Sequence, residues 1–111
     1  MVSTKILKEL RHLIESNERA IDLHKYSDRL FDVVFDIITA DTFVAGTASK
    51  VLDRETLLPE ERAIISQPLL ISNGIWRCAD GEMFDLRDYP EIYFVARGVE
   101  KLRAKCHQAL D

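Results

Sequence analysis

The chain has 111 residues and a formal net charge of −4. This length suits one hydrophobic core, so we expect residues 1–111 to form a single domain. Apolar residues make up 47% of the chain and charged residues 31%, a composition that excludes an intrinsically disordered protein. The longest apolar runs have only four or five residues, so the sequence predicts neither a membrane-spanning helix nor a signal peptide.

The acidic residues are concentrated in the middle of the chain. Residues 22–61 contain four basic and nine acidic side chains, residues 1–21 contain four and three, and residues 62–111 contain seven of each. Nucleic-acid binding depends largely on Lys and Arg that displace counterions from phosphates. The charge distribution therefore argues against a nucleic-acid partner and favours a basic protein partner.

The first predicted helix covers residues 4–16, where apolar side chains recur at helical spacing. These are Ile6, Leu7, Leu10, Leu13 and Ile14. The sequence leaves open whether this helix pauses at Ser16 and Asn17 or continues to about Lys25.

The second predicted helix covers residues 28–40, with Ser27 as its N-cap. At about 100° per residue its large apolar side chains span an arc of roughly 200°, which predicts a helix buried at the centre of the fold. Continuing this helix would turn Asp41 into the apolar arc and Phe43 into the exposed strip. We therefore expect the helix to end near Ala40 and a third helix to cover about 42–55.

The remainder of the chain predicts two more helices with a small β element between them. Pro59 marks the first turn of a helix over 59–66, and Pro90 marks the first turn of the last helix. Between them, residues 69–86 contain short apolar runs around Asn73-Gly74, a strong signal for a β-hairpin or three-stranded meander. The predicted fold is mostly α, a compact bundle of four or five helices with a short β-hairpin before the last helix.

The sequence contains no recognisable catalytic or cofactor-binding motif. The histidines His12, His24 and His107 have no metal-ligand spacing to other ligands, and adjacent Cys106 and His107 would point about 100° apart on a helix. Cys78 and Cys106 leave a single bridge possible but exclude a disulfide framework, and we interpret both as reduced thiols of a cytoplasmic protein. The prediction is a protein without catalytic residues, metal or cofactor.

An acidic ladder is the most specific feature of the chain: Asp28, Asp32 and Asp36 follow one another at i,i+4 spacing on the exposed strip of the central helix. The ladder could be a solvated face, could hold a metal with ligands from other helices, or could dock a basic partner. It could also pair within the chain, because the last helix carries a matching basic ladder of Arg97, Lys101 and Lys105.

A second acidic cluster follows the predicted hairpin turn and is interleaved with large apolar side chains. Its acids are Asp80, Glu82, Asp85, Asp88 and Glu91, and the apolar residues are Trp76, Met83, Phe84 and Tyr89. Aromatic anchors inside a charged rim are typical of binding hot spots. The alternative is that these aromatic rings fill the space between the hairpin and the helices.

In size, acidity, helical layout and lack of a catalytic motif, the chain resembles the small immunity proteins that neutralise bacterial toxins. The resemblance implies a partner that is a toxin domain, often a basic nuclease, whose cleft is blocked. The candidate partner-binding residues are Asp28, Asp32, Asp36, Trp76, Asp80, Glu82, Phe84 and Asp85. The alternatives are a phage- or plasmid-encoded inhibitor or adaptor of another host protein, and a small enzyme with an unrecognised site.

Overall fold

The computed structural model describes residues 4–20, 28–67 and 70–110, without the side chains at 18–20, 28 and 29. In chain order, the elements are α1 (Thr4–Ala20), α2 (Asp28–Leu52), α3 (Pro59–Ser66), β1 (Ile71–Ser72), β2 (Ile75–Arg77), β3 (Met83–Asp85) and α4 (Pro90–Ala109). The predicted fold class is confirmed, because four helices of the described chain form a compact bundle and a small antiparallel sheet precedes the last one. No helix within these described ranges is both long and apolar enough to cross a membrane.

Helix α1 continues through Ser16 and Asn17 to Ala20, so the helix does not pause there, and the possible extension to Lys25 lies outside the described residues. Leu10 lies fully buried at the centre of its apolar stripe. The predicted N-cap Ser27 and the histidine His24 lie outside the described residues.

Helix α2 is continuous over Asp28–Leu52, so the predicted break near Ala40 and the separate helix over 42–55 are wrong. The rotation that motivated the break is nevertheless observed, since Asp41 is 5% exposed and Phe43 is 37% exposed. The helix tolerates a buried carboxylate there because the side-chain amide of Asn17 in α1 donates a hydrogen bond of 3.2 Å to Asp41. A tertiary contact thus offsets the cost that periodicity alone indicated.

The three strands form a meander in the order β1-β2-β3, with both pairs antiparallel. Asn73 and Gly74 connect β1 to β2 with φ angles of 54° and 80°, and positive values at both positions are what a type I′ hairpin turn requires. Trp76 lies opposite Phe84 in the register of β2 and β3. Side chains directly opposite each other point to the same face, and this face packs on the helices.

Two hydrophobic clusters form the core. One joins the first half of α2, the sheet and the first half of α4 around Trp76, which has no exposed surface. The other joins α1, the second half of α2, α3 and the second half of α4 around Val44 and Leu102. Helices α2 and α4 contribute to both clusters and therefore connect the sheet to the rest of the bundle.

A buried ion pair on α4 contacts the backbone on both sides of the connection between α3 and β1. Arg103 and Glu100 are separated by 2.8 Å and are both at least nine-tenths buried. The Glu100 carboxylate accepts a hydrogen bond from the backbone N–H of Leu70, and the Arg103 guanidinium donates to the carbonyl of Ile65. The pair therefore satisfies polar backbone groups on both sides of the connection between α3 and β1.

Candidate partner-binding site

A groove of about 430 Å³ lies between α2, the end of α3 and strand β2. Its main lining residues are Asp36, Ala40, Phe43, Ile64, Arg77 and Cys78. The lining is mostly apolar, and Asp36 is its acidic member. We call this feature the acidic groove.

The Asp36 carboxylate is fixed at the groove by neighbouring hydrogen-bond donors. The indole Nε1–H of Trp76 donates to one carboxylate oxygen at 2.7 Å, and the backbone N–H of Ala79 donates to the other at 3.3 Å. Cys78 lines the same groove. These contacts connect the middle of α2 to β2 and the loop that follows it.

Asp80 and Glu82, two members of the second acidic cluster, lie beside the acidic groove. Both are exposed, and they flank Gly81, which itself lines the acidic groove. Asp80 also orders its own loop, because its carboxylate accepts a hydrogen bond of 2.9 Å from the backbone N–H of Glu82. Two acidic segments that lie more than 40 residues apart in sequence thus meet at one groove.

The electrostatic effect of this convergence is visible at Cys78. The pKa of its thiol is raised to about 11, first by burial, and the negative charges of Asp36, Asp80 and Glu82 add to the increase. A nucleophilic cysteine needs the opposite environment, one that lowers the thiol pKa. Both Cys78 and Cys106 are free thiols.

The described residues of the acidic ladder lie in different environments. Asp36 is half-buried in the groove, Asp32 is exposed, and the Asp28 side chain lies outside the described residues. The basic ladder of α4 has other neighbours: Lys105 forms an ion pair of 2.8 Å with Glu9 of α1, and the Arg97 guanidinium lies 5.8 Å from the centre of the Tyr93 ring. Among described side chains, no group of three or more His, Cys, Asp or Glu is arranged to hold a metal ion.

The other predicted binding residues occupy different environments. Trp76 is fully buried and Phe84 is half-buried at the edge of the core, which supports the packing interpretation for both rings. Phe84 also contacts the ring of Tyr89, with 6.2 Å between centroids. Asp85 lies on the opposite face of β3 and forms a bidentate pair with Arg87, which lowers the pKa of this carboxyl to about 2.

The sequence did not predict Phe43, Ile64 or Arg77 as binding residues. Arg77 donates a hydrogen bond of 3.1 Å to the side chain of Gln67 beside the groove. Phe43 offered a signal, since helical rotation placed this aromatic ring on the exposed strip. The meeting of α2, α3 and β2 depends on tertiary packing, so no local pattern could have identified the groove.

Comparison of the chain with protein-family models, with curated proteins and with solved structures found no significant match.

Proposed function

We propose that this protein is an acidic binding module without catalytic activity, which docks a basic protein through the face around the acidic groove. Within that class, we propose that it is an immunity protein whose partner is a toxin domain. The observation that carries the proposal is the convergence of Asp36 with Asp80 and Glu82 around a mostly apolar groove. Apolar surface inside a charged rim is the usual anatomy of a protein interface.

Charge supports a basic partner. The exposed carboxylates of Asp32, Asp80 and Glu82 would attract a positively charged surface and accelerate its encounter with this face. Because these groups are exposed, their main effect would be on the association rate and on its salt dependence rather than on the dissociation rate.

The test is capture of the partner from the native host, followed by kinetics with the purified pair. Asp80→Asn combined with Glu82→Gln should slow association roughly tenfold at low salt and reduce its salt dependence. The amide introduced at position 80 retains an oxygen that can accept the backbone hydrogen bond from position 82. Equal association rates for the variant and the wild type would refute docking through this face.

A matched control removes the same amount of charge elsewhere. Asp53 and Glu55 are exposed just after α2, and Asp53 lies 17 residues beyond Asp36, or about 25 Å at the helical rise per residue. Asp53→Asn combined with Glu55→Gln should leave association close to wild type. An equal loss in both double variants would mean that net charge alone matters.

The identity of the partner distinguishes the remaining alternatives. For an immunity protein, the captured partner is toxic when expressed alone, and co-expression of this chain restores growth. A non-toxic host protein as the specific partner would favour the phage- or plasmid-encoded inhibitor or adaptor instead. A toxin-domain gene immediately upstream would favour immunity, and a phage operon would favour the inhibitor.

A further inference from the structure

The Asp36 carboxylate is oriented by two neutral donors. The indole N–H of Trp76 and the backbone N–H of Ala79 each donate a hydrogen bond to it. Arg77, which lines the same groove, donates to Gln67 instead. Within the described side chains, the ion pairs involve other carboxylates: Glu9, Glu61, Asp85 and Glu100.

Each carboxylate oxygen of Asp36 can accept a further hydrogen bond, because an ionised carboxylate has about four acceptor positions. A half-buried anion held in one orientation attracts a cation more strongly than a mobile surface carboxylate does, since less water screens it and the carboxylate itself is already ordered before binding. The geometry thus provides a fixed acceptor at one end of the acidic groove.

The remainder of the groove is suited to an apolar stem. Ala40 and Phe43 follow Asp36 along α2, and Ile64 of α3 lines the same groove. Phe43 lies seven residues beyond Asp36, about 10 Å along the helix axis. An arginine side chain has three methylene groups that would cover such a surface, and its weakly hydrated, planar guanidinium suits a half-buried carboxylate better than the ammonium of lysine does.

We propose that the acidic groove binds an arginine side chain of the basic protein partner, with the guanidinium on the Asp36 carboxylate and the stem directed along Ala40 towards Phe43. This inference rests on the proposed function for the source of the arginine. The inference also gives the acids different roles. The exposed carboxylates of Asp80 and Glu82 attract the partner, and the fixed carboxylate of Asp36 binds one arginine of that partner.

The direct experiment is an NMR titration with a short acetylated and amidated peptide that contains one arginine next to one leucine. Trp76 is the only tryptophan of the chain, so its indole N–H gives a single side-chain signal. The arginine peptide should shift this signal and the Ala79 amide signal, since both groups donate to Asp36. The same peptide with citrulline, which has the shape of arginine without its charge, should bind roughly tenfold more weakly.

Two variants separate the Asp36 carboxylate from the general negative field. Asp36→Asn should remove the preference for arginine over citrulline, whereas Asp53→Asn, an exposed change beyond the C-terminal end of α2, should retain it. The comparison of the two peptides on the wild-type protein stays decisive even if Asp36→Asn lowers the stability of the fold.

Equal binding of the arginine and citrulline peptides would overturn the inference, and so would shifts that avoid both Trp76 and Ala79. Micromolar binding of free blocked arginine would also overturn it, in favour of a small-molecule site. None of these results requires the partner. A groove that selects arginine, in a protein whose partner associates equally fast with the wild type and with the Asp80→Asn, Glu82→Gln variant, would support the groove assignment and refute the proposed function.

Discussion

The side-chain amide of Asn17 donates a hydrogen bond of 3.2 Å to the buried carboxylate of Asp41, and this contact connects α1 to the middle of α2. Gly98 of α4 lies at the same junction, because a Cβ atom built on it would lie 2.6 Å from the Asn17 side-chain oxygen. Three helices therefore meet around one buried amide. The close approach requires a residue without a side chain on α4.

The two helical glycines should respond to alanine with opposite signs. Gly98→Ala should destabilise the protein even though alanine is favoured in helices by about 1 kcal/mol, because the new methyl group displaces Asn17 from Asp41. Gly46→Ala should stabilise it by up to about 1 kcal/mol, since the added Cβ would have no atom within 4 Å apart from its chain neighbours and the adjacent backbone of α2. Urea denaturation of both variants checks the signs. A stabilised Gly98→Ala variant would contradict the packing described at this junction.

The buried pair of Glu100 and Arg103 should show strong coupling. Arg103→Met leaves Glu100 buried without its cation and should lower the free energy of unfolding by about 3–5 kcal/mol. Adding Glu100→Gln removes the uncompensated charge while keeping an oxygen for the Leu70 N–H, so the double variant should be more stable than Arg103→Met alone. Lys101→Met, on the exposed face of the same helix, is the control and should change stability little. Additive losses in a double-mutant cycle would exclude the coupling.

The ladder residues Asp32 and Asp36 should differ in their effect on stability. Asp36→Asn puts an amide group opposite the Ala79 N–H or the Trp76 indole, one of which then lacks its acceptor, and should cost about 1–2 kcal/mol. Asp32→Asn relieves a repulsive i,i+4 pair on an exposed face and should leave stability equal or raise it by a few tenths of a kcal/mol. Thermal or urea denaturation of the two single variants measures this difference. Equal effects would mean that the Asp36 hydrogen bonds contribute nothing to the fold.

Asp85 should contribute to acid unfolding. The pair with Arg87 lowers the pKa of Asp85 from 3.8 to about 2, so the folded state holds this carboxylate charged where the unfolded chain begins to protonate. Its stabilising contribution is present above about pH 4 and is lost as the pH falls towards 2. Asp85→Asn should therefore make the loss of stability between these pH values shallower, as measured by denaturation at a series of pH values.

Arg87→Gln removes the guanidinium, which is the largest cause of the same pKa shift, but keeps the backbone N–H at position 87 that also donates to Asp85, so its pH dependence should lie between those of the wild type and Asp85→Asn. Once Asp85 is replaced, residue 87 has no carboxyl group to stabilise, so the double variant should match Asp85→Asn alone. An undiminished pH dependence in Asp85→Asn would assign this part of the acid sensitivity to other carboxyl groups.

The two cysteines should react slowly with thiol reagents. Burial raises the pKa of both Cys78 and Cys106 to about 11, so the thiolate population at pH 8 is about one in a thousand. Ellman's reagent should modify half-buried Cys78 slowly in the folded protein, and fully buried Cys106 only on unfolding. Cys106→Ala, which is far from the groove lining, should leave partner binding unchanged, with some stability lost at the buried position. Rapid labelling of Cys106 in the folded protein would contradict its burial in the hydrophobic core.

The sequence by itself determined the elements whose signals are local. Pro59 and Pro90 marked the first turns of α3 and α4, and Asn73-Gly74 marked the turn between β1 and β2, because each signal depends on the dihedral angles of the residues concerned. Helical periodicity also assigned the correct faces to Asp41 and Phe43. The predicted helix break near Ala40 was nevertheless wrong. A buried carboxylate without a partner costs free energy, and periodicity does not show that Asn17 donates a hydrogen bond to Asp41.

Tertiary structure decided which distant residues meet. Asn17 reaches Asp41 across 24 residues, and Asp36 reaches Trp76 across 40, so neither contact leaves a periodic or spacing pattern in the chain. The same contacts decide that α2 is continuous and that Asp36 belongs to a groove rather than to an exposed ladder. Charge and hydrophobic periodicity are properties of one segment, whereas the compensation of a buried polar group depends on where the fold places its partner.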